Sequence, residues 1–158
     1  AQAGDGEAAL RVFAANGAAL DSRFGHQRAL EEVGILTDLG RTDEAIRRLD
    51  VILADTNAEP MAWVQAGLAF ERLGHEDRAA SAMQRAAESA PIANYYLARL
   101  KLRSGDADTA MDCLKHAALA APAEVRRLIR EEEGAWQELA GDARFEQLRK
   151  PVAATPGR

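Results

Sequence analysis

The side chains best suited to chemistry are sparse here: three histidines, His26, His75 and His116, and a single cysteine, Cys113. The histidines are far apart, and none sits in the HExxH pattern that puts two imidazoles and a general-base carboxylate on one helical face. His75 follows a glycine and reads as a solvated loop residue. Cys113 and His116 stand three apart, close enough on a helix to share a metal, but no further ligands accompany them. Glu131, Glu132 and Glu133 would make a cation site or a catalytic carboxylate pair only if they converged. Consecutive residues of a helix point in different directions, and Arg127, four before Glu131, fits a solvated charged face. The stretch Gly4–Leu10 (GDGEAAL) lacks the Lys-Ser/Thr ending that grips phosphates, and no nucleophile elbow occurs. The sequence therefore predicts no catalytic residue, no metal and no cofactor, and a protein that is not an enzyme.

The elements that would carry any other function must come from an alanine-rich chain. Of 158 residues 47% are apolar but only 5% aromatic, with alanine the commonest, so packing has to be close and shallow, as between small-faced helices. A net charge of −5 argues against nucleic acid, whose phosphates need a basic surface. No apolar run approaches the roughly 18 residues of a membrane span. The start AQAGDGEAA has no methionine, which is compatible with a processed periplasmic or secreted precursor or with a segment of a longer protein; the lone thiol fits a reducing, cytoplasmic compartment.

Four segments align at once: Gly4–Leu10 (GDGEAAL), Gly40–Ile46 (GRTDEAI), Gly74–Ala80 (GHEDRAA) and Gly105–Met111 (GDADTAM). Each predicts a left-handed glycine that ends one helix, polar residues that turn and cap, and an alanine that opens a second helix pressed against the first. Leu36 and Leu39 precede the second glycine, and Ile46, Leu49, Ile52 and Leu53 follow it at helical spacing. Around the third, Trp63, Ala66, Phe70 and Leu73 precede and Ala79, Met83 and Ala86 follow, with Pro91 closing the unit. Gly67 costs about 0.5–1 kcal/mol relative to alanine in mid-helix, a cost that close approach of a second backbone explains, with Ala79 the expected neighbour.

With Trp63, Ala66-Gly67, Phe70, Ala79, Met83 and Pro91 in place, the third unit resembles the tetratricopeptide repeat family. The neighbours resemble it more loosely. Gly34 lies six residues before Gly40 where Gly67 lies seven before Gly74, so the earlier first helix is expected to be offset by one; Ala98 and Lys101 replace the glycine and aromatic of the next unit. The resemblance implies an all-α, right-handed α-solenoid of stacked antiparallel helix pairs. The expected organisation is an N-terminal half-repeat over 1–22, hairpins over about 23–57, 58–91 and 92–122, a degenerate repeat or capping helices over 123–150 built on Trp136, Leu139, Phe145 and Leu148, and a flexible tail over 151–158.

The resemblance also implies that the first helices line a concave groove holding a peptide or helix of a protein partner. Register places Val64, Gln65, Leu68, Arg72, Tyr95, Arg99, Leu102 and Arg103 on that surface, which would suit a partner with apolar anchors and an acidic group. The clamp by which some family members grip a carboxylate terminus is absent, its positions being Leu30, Gly34, Gln65, Ile92 and Tyr96. The expected function is a non-enzymatic scaffold in a bacterial multiprotein assembly. The alternatives are a homo-oligomer docking through Trp136, Phe145 or the region of Phe13, and the regulatory arm of a larger enzyme.

Overall fold

Gly40, Gly74 and Gly105 each adopt a positive φ, of 71°, 78° and 81°, and each ends a helix in the same way. In all three the residue after the glycine donates its N–H five residues back, Arg41 to Leu36 O, His75 to Phe70 O and Asp106 to Lys101 O, at 2.8–2.9 Å. The glycine itself donates to Thr37, Glu71 or Leu102. This paired closure satisfies carbonyls that a helix end otherwise leaves open, and a side chain at the left-handed position would strain it.

The computed structural model describes residues 3–15 and 22–150, within which every regular element is a helix. The chain divides into two compact units, Ala1–Ala86 and Ala87–Arg158. The first holds α1 (Ala3–Ala15), the pair α2 (Ser22–Asp38) and α3 (Thr42–Ala54), and the pair α4 (Pro60–Arg72) and α5 (Glu76–Ala87), whose last residue reaches the boundary. The second holds the pair α6 (Ala93–Arg103) and α7 (Ala107–Ala120), then α8 (Pro122–Glu131), a 3-10 helix over Glu133–Leu139, and α9 (Ala143–Arg149). The expected tail over 151–158 lies outside the described residues.

Each second helix repeats one buried stripe. Ala45, Ala79 and Ala110 follow their glycines by five residues, Leu49, Met83 and Leu114 by nine, and Ile52, Ala86 and Ala117 by twelve; all nine are fully buried. A fully buried Leu, Ile or Met contributes about 1.5–3 kcal/mol. An exposed ion pair such as Arg41–Glu44 is screened by water and holds little, so the stripe, not the surface charge, holds the hairpin.

The first helices answer with their own small positions. A Cβ on Gly67 would lie 3.3 Å from the carbonyl oxygen of Ala79 and 2.8 Å from the Met83 methyl, so α4 and α5 meet backbone to backbone as expected. Seven residues before the other turn glycines stand Val33 and Ala98, both buried, whereas nothing lies within 4 Å of a Cβ on Gly34. The one-residue offset of the second hairpin follows: Val33, not Gly34, faces the partner helix.

Two expectations need correction or refinement. Gly4 is not a turn glycine, because α1 runs straight through it with Asp5 in its first turn, where a carboxylate suits the helix N-terminus. Gly6 is the tight position of that helix instead, where a Cβ would lie 3.3 Å from Leu39 and 3.4 Å from Ile35. At the other end Gly141 is left-handed (φ 89°), but a 3-10 helix leads into it and Glu146 replaces the alanine of the stripe. Trp136, Leu139 and Phe145 are buried there, their rings stepping from Tyr95 to Trp136 at 5.2 Å and on to Phe145 at 6.2 Å.

Within the first unit α4 is fixed to the end of α3 by a polar joint. The Trp63 indole donates to Ile52 O at 3.3 Å, while Arg85 donates to Leu53 O and lies over the Trp63 ring at 4.7 Å. Two of the last carbonyls of α3 thereby gain donors.

Candidate protein-binding site

The eight residues expected to face a partner lie on two helices, four on α4 and four on α6. On α4, Ala62, Val64, Ala66, Gly67, Ala69 and Phe70 are all buried, which covers most of the helix circumference. Val64 is therefore inside, at 1% exposure, Leu68 is half-buried, and Gln65 and Arg72 are exposed. On α6 the buried set is Ala93, Tyr95, Leu97, Ala98, Leu100 and Leu102, leaving Arg103 exposed and Arg99 half-buried. As placed, Val64, Tyr95 and Leu102 are core side chains with no surface to offer a ligand. Helices enclosed on several sides keep only a narrow polar strip, and a single-face reading of the sequence overcounts it.

Arg99 carries the clearest polar site of the second unit. Its guanidinium donates to Glu132 Oε2 at 2.7 Å, and the Tyr95 hydroxyl donates to the same oxygen at 3.0 Å. Arg99 also lies over the Tyr96 ring, 5.5 Å from its centre. Burial pushes the Tyr95 phenol well above its ordinary pKa; the Trp136 indole opposes this and the Glu132 carboxylate adds to it. The Trp136 N–H, buried beside that hydroxyl, does not reach hydrogen-bond geometry with it. Glu132 thus supplies, from within the chain, the acidic group that Arg99 was expected to take from a partner.

The acidic run divides as its helical geometry requires. Glu131 pairs with Arg127 at 2.7 Å on the surface, Glu132 turns in to Arg99, and Glu133 meets Arg149 at 3.2 Å. The three carboxylates do not converge. Cys113 is buried and His116 exposed, and burial pushes the thiol's pKa up. His75 is half-buried at its turn. Trp136 and Phe145 are 2% exposed, so neither offers a docking side chain to a second copy; Phe13 is half-buried under the Arg28 guanidinium.

The first unit carries a groove that sequence reasoning did not find. About 560 Å3 in volume, it lies between α2 and the start of α4 and is lined by His26, Gln27, Leu30, Glu31, Glu59, Met61, Ala62 and Gln65. That size is typical of a ligand cleft. At its edge His26 Nε2 sits 2.9 Å from Asp55 Oδ2, and Asp55 also accepts from Asn57 N at 2.8 Å. The Asn57 N–H first, and His26 after it, hold the Asp55 carboxyl below its usual range. The only signal in the sequence was Met61, an apolar side chain in the first turn of a helix, 48% exposed in the fold.

The model of the tetratricopeptide repeat matches residues 62–92, which run from the first turn of α4 to the turn after α5. The chain carries a tetratricopeptide repeat. Its solved structural neighbours include the crystal structure of MamA, 21% identical with a TM-score of 0.63, covering 92% of this chain and 85% of that one. A second MamA crystal structure is 20% identical at a TM-score of 0.60, covering 97% and 90%. At these identities the likeness is one of fold. No curated protein matches the sequence. The repeat gives the chain the character of a protein-interaction module, and among the described residues no helix is long and apolar enough to cross a membrane.

Proposed function

We propose that this chain is a non-catalytic scaffold that binds a segment of a partner protein on the exposed strips of its first helices, within a bacterial multiprotein assembly. The observation that carries the reading is on α4, where Gln65, Leu68 and Arg72 stay accessible at helical spacing while the rest of the helix is enclosed. Leu68 offers the apolar anchor, and the exposed guanidinium of Arg72 suits a carboxylate, which arginine takes in bidentate fashion. A regulatory arm joined to an enzyme would use the same strips.

The test is selection from a phage-displayed random dodecapeptide library, followed by affinity measurements on Arg72→Glu and Leu68→Ser, with circular dichroism to confirm that both fold. At least a fivefold loss in both variants is expected for peptides with an aliphatic and an acidic residue. Selected peptides that bind both folded variants as tightly as the parent would remove this site.

A further inference from the structure

We infer that a second groove, between α1 and the second helix α3, takes an amphipathic helix of a partner protein that sets a carboxylate beside an aliphatic side chain. The inference rests on the preceding reading in one respect, that the occupant is a protein segment, and uses none of the residues of the α4 strip.

The groove is about 400 Å3 in volume and is lined by Leu10 of α1, by Glu32 and Leu36 of α2, and by Arg41, Glu44, Arg47, Arg48 and Val51 at and along α3. It stays open because of one substitution in the repeat. Eleven residues after its turn glycine, α5 has Arg85, which reaches back to Leu53 O at the end of α3. At the same place α3 has Val51, which is 64% exposed. With Leu36 at 4% exposure below it and Leu10 half-buried opposite, Val51 offers apolar area to an incoming side chain.

The charge left over in the lining is positive. Glu32 is held by Arg48 at 2.8 Å and by Arg28 at 3.6 Å, and Glu44 by Arg41, which also meets Glu7 at 3.1 Å. Arg47 is exposed and makes no hydrogen bond or ion pair with any described residue, Asp43 one turn before it included. Its charge acts on Glu44 only at a distance, after Arg41. A guanidinium in that state can take a carboxylate with both arms. Arg47 and Val51 stand four apart on α3, one above the other, so cation and apolar contact come as a pair one turn apart.

The lining also selects a helix over an extended segment. It contains no serine, threonine, asparagine or glutamine, and its carboxylates already have partners. An extended backbone laid there would bury N–H and C=O groups without partners, whereas a helix satisfies its own and presents side chains alone.

The probe is a phage-displayed library on an alanine-based helix of about 20 residues, long enough to be helical in water, with one face randomised. It is selected on the whole chain. The expected class carries Asp or Glu one turn from an aliphatic residue. Arg47→Glu and Val51→Ser should each weaken it at least fivefold, with circular dichroism matching the parent. Arg130→Glu, which makes the same charge change at an exposed position of α8, should weaken it less than twofold, as should Arg72→Glu. Equal weakening by Arg47→Glu and Arg130→Glu would mean attraction to net charge alone and would overturn the inference. So would the absence of an acidic, aliphatic class, or a class indifferent to Arg47→Glu and Val51→Ser. Helices weakened by Arg72→Glu but not by Arg47→Glu would sink this groove while leaving the α4 strip standing.

Discussion

The α-carbon of Gly67 faces the carbonyl oxygen of Ala79 so closely that a Cβ there would stand 3.3 Å from it. The nearest other obstacle is the Met83 methyl at 2.8 Å, the far end of a flexible but fully buried side chain. The contact is local to one hairpin and explains why a helix keeps a residue of poor helical propensity.

Gly67→Ala should accordingly destabilise the protein by about 1 kcal/mol, because the strain of overpacking exceeds the helical gain. Gly34→Ala, with nothing within 4 Å of its Cβ, should stabilise by about 0.5–1 kcal/mol. Urea unfolding of the two variants beside the parent checks both signs, and a stabilised Gly67→Ala would refute close approach.

Removing Glu132 should cost far more than removing its neighbour. Glu132→Ala takes the acceptor from both Arg99 and Tyr95 inside the second unit, for a loss of about 2 kcal/mol. Glu131→Ala breaks only an exposed i,i+4 pair and should change stability by less than about 0.5 kcal/mol. Denaturant midpoints of the two variants should separate clearly.

Stability should fall toward both ends of the pH scale. At the acid end, Asp142 caps α9 and binds Arg144 at 2.7 Å, and that hydrogen bond holds its pKa down to about 2. A depressed carboxylate contributes its full stability above the unfolded pKa near 4 and loses it as pH falls toward 2. Melting temperatures measured between pH 5 and pH 2 should drop less in Asp142→Asn than in the parent. At the alkaline end the Tyr95 pKa is raised, so its contribution is present below about pH 10 and is lost as pH rises above that value. Tyr95→Phe should flatten the alkaline limb.

The hairpins were legible in the sequence because their signals are short in range. A left-handed glycine, an alanine five residues on and a bulky residue four beyond that are fixed by local turn chemistry and helical period, and Gly40, Gly74 and Gly105 obey all three rules. Gly4 carried the same letters without the turn, since nothing in GDGEAAL distinguishes the entry to a helix from the exit of one. The binding surface was less legible. Whether Tyr95 and Leu102 face solvent depends on how many neighbours enclose α6, and Glu132 reaches Arg99 across 33 residues of chain, a separation that no periodic pattern reports. The His26–Asp55 contact, 29 residues apart, was hidden for the same reason.

The central claim, that partner segments bind along first helices, is tested most directly by the backbone amide shifts of the 15N-labelled protein titrated with the selected peptides. With the dodecapeptides, perturbations are expected to centre on Gln65, Leu68 and Arg72 of α4, the accessible strip of that first helix. Saturable binding with shifts confined to the second helices α3, α5 and α7 would contradict it.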